Sequence, residues 1–417
     1  MVSRRNFLKS AAGSLALASG GALVSKLAQA GDNVFMGPPS LASGTLEYSI
    51  LDALPGKRPL IKRSFRPQNY ETPLAYLTEL DGIFTPNDAF FVRWHLANIH
   101  EIPAKDWTLK IGGDSVDKPF ELTLDQLQND YEQVEVIAVC QCSGNRRGLS
   151  DPHVAGVQWG YGAMGNAKWK GVRVRDILNK AGVKKDALEM AFQSPDSRIL
   201  DKTPDFIKSI PMWKAMDEST IIAYEMNGDP LSHWNGAPAR LVVPGWTATY
   251  WMKQLTSINL IAQPLKGFWM EKAYRIPLGK FPETDRFISQ ETPDGTSTPI
   301  TEMVVNSLIT NLHGGEHFKH GKAVEVKGLA WDSGRGIQTV EVSTDEGKTW
   351  LAAELGKDHG NFSWRLWNFN FIPKGKGKHT IMAKATNRIG STQTFNLIWN
   401  PAGYHNNVIQ KIDIEVA

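Results

Sequence analysis

Cysteine is almost missing from this chain, with two in 417 residues. They are Cys140 and Cys142, too close in sequence for ordinary disulfide geometry. At least one thiol is therefore expected to serve another purpose. There is no GxGxxG loop, which removes the usual dinucleotide fingerprint. There is no CxxCH, which removes covalently attached haem from this chain. Neither sign of charge dominates. The formal net charge is +3, and the first thirty residues carry Arg4, Arg5, Lys9 and Lys26 without an acid. The remainder is near neutral and has no nucleic-acid footprint. No segment approaches the ~20 apolar residues of a membrane span.

What is present begins with Arg4-Arg5 followed by Asn6-Phe7-Leu8-Lys9, then an Ala/Gly/Ser-rich stretch ending in Ala28-Gln29-Ala30. This is the pattern of a twin-arginine leader with a small-x-small cleavage site. Export to the periplasm is expected, with no membrane span left after cleavage of residues 1–30. That route carries folded proteins, which suits a cofactor inserted before export. Apolar residues make up 41% and charged ones 21%, a globular composition. The length suggests two or three domains.

Residues 31–70 are rich in Pro and Gly and are expected as an extended segment on the body. Residues 71–295 are expected as a mixed α/β domain without regular βαβ alternation. Within it FFVRWH (90–95), VEVIAVC (134–140) and LVVP (241–244) have strand character, and the pattern from Val172 to Leu178 opens a helix. From 296 to 417 the character changes. AVEVKGLAW, IQTVEVSTD, TWLAAEL, SWRLWNFNF, HTIMAKATN and TQTFNLIW alternate and are separated by Gly/Asp/Pro turns. That spacing predicts an Ig-like antiparallel β-sandwich of about 120 residues. The fold class is α+β.

The strand that ends at Cys140 puts Cys142 in the following turn, CQCSGNRRG, where loops carry chemistry. Gly144 suits a sharp turn. Arg146 and Arg147 add positive charge, which favours thiolate over thiol. A soft sulfur ligand beside fixed cations fits a redox metal handling an oxyanion. Cys140, at the apolar end of the strand, is expected to be an inert buried thiol.

QCSGNRR resembles the QC(A/S)GNRR signature of the sulfite oxidase family of molybdenum enzymes. FFVRWH, the block WGYGAMGNAKWKGVRVRDIL (159–178), AYEMNGDPL (223–231) and GAPARLVVPGW (236–246) resemble further family motifs in the same order. The C-terminal sandwich resembles the family's dimerisation domain. The resemblance runs from about residue 70 to the end. The leader and the lack of a haem domain point within that family to bacterial periplasmic sulfite dehydrogenases.

The resemblance implies a molybdenum–molybdopterin cofactor with Cys142 as the protein ligand to the metal. Arg93 matches the arginine that binds the oxyanion, and His95 a histidine near the pterin and the pocket. Arg147 matches an arginine that positions the site and helps hold the anion, and Tyr274 the active-site tyrosine. Asp196, Arg240 and Lys253 fall at positions that contact the pterin or its phosphate. Asn235 stands where vertebrate members have a histidine, a contact that His233 could replace. Ala402, in WNPAG, stands where those members have an arginine lining the anion pocket.

The implied reaction is oxygen-atom transfer to sulfite, with Arg93 and Arg147 holding the dianion and Tyr274 orienting it. The implied acceptor is an external c-type cytochrome, because the sequence carries no second redox motif. The sandwich is expected to form a homodimer or to pack on a cytochrome subunit. Two other readings remain: a periplasmic molybdopterin reductase acting on sulfoxides, and an exported binding protein with idle thiols. His313, His317 and His320 in HGGEHFKH are read as solvated loop histidines, because Gly314-Gly315 breaks the helix that a ligand pair needs.

Overall fold

Among the described residues of this computed structural model are three larger sheets, a two-stranded pair of Arg275–Pro277 and Ser297–Pro299, and a sandwich. The structure describes residues 34–36, 48–97, 100–196, 200, 202–278 and 297–417. The leader expected over residues 1–30 lies outside the described residues. The first sheet is an antiparallel run of Val34–Met36, Tyr48–Asp52, Leu60–Ser64, Asn69–Glu71 and Val92–Arg93. The stretch expected as an extended segment therefore contributes strands, and its last partner carries Arg93.

The second sheet is ordered Ile207–Pro211, Glu189–Gln193, Ser257–Ile261, Thr108–Gly112 and Phe120–Thr123, with one parallel pair between Ser257–Ile261 and Thr108–Gly112. The third places Gln133–Gln141 against Met164–Arg173, then Ile221–Met226, which pairs with both Asp229–Pro230 and Arg240–Val242. Helices are few and short. Val174–Ala181 buries Val174, Ile177, Leu178 and Ala181, one stripe at helical spacing. It is closed by Gly182 at φ +74°. The helical pattern starts two residues later than expected, because Val172 is still paired with Gln133 in the third sheet.

FFVRWH is less regular than its composition suggests. Only Val92–Arg93 is strand. Phe90, Phe91, Val92 and Trp94 are all buried, so the stretch is packed on both sides and shows no alternation. LVVP shortens in the same way to Arg240–Val242.

The C-terminal sandwich holds a four-stranded sheet, Asn306–Ile309, Val324–Trp331, Arg365–Phe371 and Glu354–Leu355. Opposite it lies a five-stranded sheet of Glu316–Phe318, Gln410–Val416, Gly377–Asn387, Ile337–Ser343 and Leu351–Ala352. TQTFNLIW forms no strand and makes only single bridges at Thr392 and Thr394. The strand beside Gly377–Asn387 is instead Gln410–Val416, whose Gln410, Ile412, Ile414 and Val416 alternate inward. His313, His317 and His320 are exposed, as expected, although His317 sits on the short strand Glu316–Phe318 and not in a loop. No cluster of metal-ligating side chains occurs among the described residues.

The sandwich is fastened to the back of the cysteine strand. Leu77, Val139 and Met164 share one apolar cluster with Leu308, Trp331 and Trp364. Trp331 Nε1 donates to Gln141 Oε1 at 2.5 Å, and Val139 N donates to Phe362 O at 2.9 Å. No described helix is long and apolar enough to cross a membrane.

Candidate active site

Strand Gln133–Gln141 is paired along its whole length with Met164–Arg173, so its end is rigid. It delivers Cys142 into a turn held by backbone hydrogen bonds. Cys142 N donates to Ala163 O at 2.9 Å, and Asn145 N donates back to Cys142 O at 3.0 Å. Asn145 Oδ1 accepts from Ala163 N at 3.0 Å. The residue in the left-handed region is Arg146, at φ +70°, and not Gly144. Gly144 is needed for space, because a Cβ there would lie 2.6 Å from Arg147 Nη1.

Eight of the nine expected site residues line one pocket: Arg93, His95, Cys142, Asp196, Asn235, Arg240, Lys253 and Tyr274. They come from all three sheets and from the segment after Trp269. Arg147 is the exception. Expected to hold the anion, it does not form part of this wall. Its Nε donates to Ala402 O at 2.8 Å and its Nη1 to Val157 O at 3.2 Å. The guanidinium lies 5.3 Å from the Tyr404 ring centre. Tyr404 in turn stacks on Tyr274, with centroids 5.9 Å apart. Arg147 therefore supports the tyrosine from behind.

Tyr274 follows a single π-helical turn, Phe268–Lys272, and takes φ +58°. A tyrosine in that region stores about 1–3 kcal/mol and persists only where its surroundings hold it. Here Tyr274 O accepts from Ile300 N at 2.8 Å. Its hydroxyl meets His95 Nε2 in a short hydrogen bond. Burial raises the Tyr274 pKa above the usual phenol value, against the pull of Arg93 and Arg147. His95 stacks on Phe206 at 3.7 Å. Burial, then Arg93, Lys253 and Lys208, hold its pKa well below the usual imidazole value, so it is neutral.

Cations gather on the far wall. Arg240 donates to Asn235 O at 2.8 Å and Trp251 O at 3.0 Å. Lys253 Nζ lies 3.3 Å from the Trp94 ring centre, and burial pulls its pKa far down. Asp196 is the one carboxylate in the wall among the described residues. Burial raises its pKa to about 6, against Lys253 and Arg93. Asn235 reaches the wall, but its amide is already engaged. Its Oδ1 accepts from Lys57 Nζ at 2.8 Å and its Nδ2 faces the Met226 sulfur at 3.3 Å. His233 does not replace it, since it stacks on Trp94 and lies outside the wall. Cys140 also lines the cavity, and burial pushes its thiol to about 11, so it is the inert partner.

Sequence reasoning missed Lys57 and Lys208, two fully buried lysines whose pKa values burial lowers to about 7. Lys208 Nζ donates to Trp269 O at 2.7 Å and lies 5.1 Å from the Tyr274 ring. Phe206 and Tyr404 were missed as well. None of these belongs to a short motif, and only the fold brings them to the site.

The wall keeps polar atoms that the protein does not satisfy. Ser143 Oγ, Trp94 Nε1 and Asp196 Oδ1 are buried without a partner among the described residues. Leaving such groups unpaired costs about 1–3 kcal/mol each. A polar ligand as large as a pterin, with a soft metal at Cys142 and phosphate charge near Arg240 and Lys253, fits this donor set.

Comparison with known proteins agrees. Residues 95–269 match the family described as oxidoreductase molybdopterin binding domain, and residues 297–417 match the Mo-co oxidoreductase dimerisation domain. The chain is 34% identical over 380 residues to mitochondrial sulfite oxidase of Macaca fascicularis, covering 87% of this chain and 67% of that protein. It is 30% identical to sulfite oxidase of Arabidopsis thaliana, covering 87% of this chain and 95% of that one. Among solved structures it is similar to the sulfane dehydrogenase SoxCD of Paracoccus pantotrophus. There the TM-score is 0.71 at 26% identity, over 84% of this chain and 85% of that one.

Proposed function

Because this chain belongs to the sulfite oxidase family of molybdopterin oxidoreductases, we propose that it oxidises sulfite to sulfate in the periplasm after twin-arginine export. We propose further that it passes the electrons singly to a c-type cytochrome. The observation that carries the reading is one cavity holding the Cys142 thiol, the Arg93 guanidinium and the Tyr274 hydroxyl together.

When bound, the molybdenum pterin supplies the two-electron oxygen-atom transfer. The chain's own residues hold and orient. Cys142 Sγ is the metal ligand. Arg240, Lys253 and Asp196 face the pterin and its phosphate. Arg93 lies in the same wall as Cys142, and its planar fork suits a sulfur oxyanion. Neutral His95 can adopt the tautomer that donates to Tyr274 Oη, leaving the phenolic proton for a substrate oxygen. The raised Tyr274 pKa keeps that proton in place at neutral pH. Arg147 acts through Tyr404, fixing the plane of Tyr274. These donors are in position before the substrate arrives, so little reorganisation accompanies the charge shift on sulfur.

With no CxxCH in the sequence, the electrons go to an external acceptor. A small, transient interface at the cavity mouth suits that transfer. The sandwich pairs two copies of the chain or packs on a cytochrome subunit. The test is metal and pterin analysis of periplasm-purified protein, followed by sulfite-dependent cytochrome c reduction. Fully loaded protein that turns over a sulfoxide or a sulfane-sulfur substrate, and not sulfite, refutes the substrate assignment. Protein without pterin that still binds a partner supports the binding-protein reading instead.

A further inference from the structure

Beside the cavity that contains Cys142 lies a second cleft, open to solvent. Arg93 and His95 belong to both. The outer cavity adds Arg63, Arg66 and Asn69 from the hairpin of the first sheet, and its wall shows no carboxylate among the described residues. Three arginines facing one cleft need a reason.

The hairpin places Arg63 there by a bulge. The register runs Lys62↔Tyr70 and then Ser64↔Asn69, which leaves Arg63 as the extra residue. Bulges re-aim a side chain and are common beside active sites. The Arg63 side chain is only 3% exposed, and its Nε meets Glu71 Oε2 at 2.7 Å. Glu71 also accepts from Gly160 N and Gly162 N, each at 2.8 Å, so its charge is shared among three donors. Gly160 is required here, because a Cβ would lie 2.7 Å from Glu71 Oε1 and 2.9 Å from Arg63 Nη2. Arg63 Nη1 is buried without a partner among the described residues. Arg63 thus brings a buried guanidinium, only partly neutralised by Glu71, to the edge of the cleft, where it favours an anion.

The geometry also links the two cavities. Asn69 sits opposite Arg93 in the sheet register, and its Oδ1 accepts from Arg93 Nη1 at 3.4 Å and from Trp94 N at 3.2 Å. Arg93 is thus anchored on the partition, with Arg63 and exposed Arg66 on its outer side.

We propose that the outer cavity is a second oxyanion site, in which Arg63 and Arg66 bind a small sulfur oxyanion that exchanges with the inner site across Arg93. The identity of that anion, sulfite arriving or sulfate leaving, rests on the proposed function. The site itself does not. A cleft of one charge sign concentrates its counter-ion and speeds association in a salt-dependent way.

The test uses holoenzyme crystals soaked in selenate, an isostere of sulfate with an anomalous signal. The expected result is a peak in the outer cavity between Arg63 and Arg66, weakened in Arg66→Ala. Arg63→Gln alone leaves Glu71 buried without its cation, so the comparison variant is Arg63→Lys, which keeps a cation for Glu71 and removes the guanidinium; it should weaken the outer peak and keep the inner one. In solution, Arg66→Ala should lower kcat/KM for sulfite by roughly 3–10-fold at low salt and flatten its salt dependence. A fall in kcat with kcat/KM preserved instead assigns the site to departing sulfate. Selenate confined to the inner cavity, or Arg66→Ala with both kinetic constants and the salt slope unchanged, overturns the proposal. An outer peak in protein that does not oxidise sulfite would leave the anion site standing and reject only the substrate reading.

Discussion

Arg146 gives the sharpest test of how the cysteine turn is held. It is 3% exposed, and no carboxylate pairs with it among the described residues. Its Nη1 donates to Asn306 Oδ1 at 2.6 Å and its Nη2 to Val408 O at 2.5 Å, both in the C-terminal sandwich. Its guanidinium carbon lies 5.2 Å from the Tyr161 ring centre. Hydrogen bonds from a charged donor contribute about 1.5–3 kcal/mol each, and an enclosed cation–π contact about 1–2. Burial of the cation opposes them, and it is the main cause of the lowered Arg146 pKa. Arg146→Ala should therefore destabilise by about 3–5 kcal/mol.

The backbone supplies an internal control. Arg146 stands at φ +70°. A residue with a Cβ costs roughly 1 kcal/mol or more there, and glycine does not. Arg146→Gly deletes the same contacts as Arg146→Ala, so the side-chain loss cancels between them. The glycine variant should be the more stable of the two by about 1 kcal/mol, after allowing for its looser unfolded chain. Urea unfolding of Arg146→Ala, Arg146→Gly and the parent measures this. A loss below about 1 kcal/mol in Arg146→Ala, or an alanine variant at least as stable as the glycine one, would refute the reasoning.

Cys142→Ser should abolish sulfite turnover, because a hard hydroxyl is a poor substitute for thiolate on a soft metal; full turnover with molybdenum bound would contradict the ligand assignment. Arg93→Gln removes a charged donor worth about 1.5–3 kcal/mol and should raise KM for sulfite roughly 10- to 100-fold; an unchanged KM takes it out of the anion pocket. His405 is buried, with Nε2 at 3.0 Å from Glu302 O, and burial lowers its pKa from 6.5 to about 4. Between those values the unfolded chain binds the extra proton, so stability is lost as pH falls from 6.5 to 4, by about 3 kcal/mol. His405→Asn keeps a residue that tolerates its φ of +55° and should flatten that part of the stability–pH profile; an equally steep acid limb rules His405 out as its source.

Much of the site was legible in the sequence because local signals were strong. CQCSGNRRG follows a strand and carries the thiol and the cations in one turn, and FFVRWH and GAPARLVVPGW carry Arg93 and Arg240 in compact motifs. The sandwich was readable from period-two runs between turns. Gln410–Val416 alternates just as cleanly as the strands that were expected, and TQTFNLIW was a weaker signal taken in its place. The helix start at Val174 was ambiguous because a strand residue and a helix residue are both apolar there.

The sequence by itself determined the local chemistry: a thiol beside a run of cations in one turn, and the alternation that builds the sandwich. These are matters of residue type at short spacing, and they do not depend on where the chain goes next. Only the tertiary structure decided that Arg147 turns behind Tyr404, that Lys57 engages the amide of Asn235, and that a bulge carries Arg63 to a second cavity next to Arg93. Those outcomes depend on contacts between residues far apart in the chain. Which donors remain unpaired at a wall is known only once every nearer partner has been assigned in space.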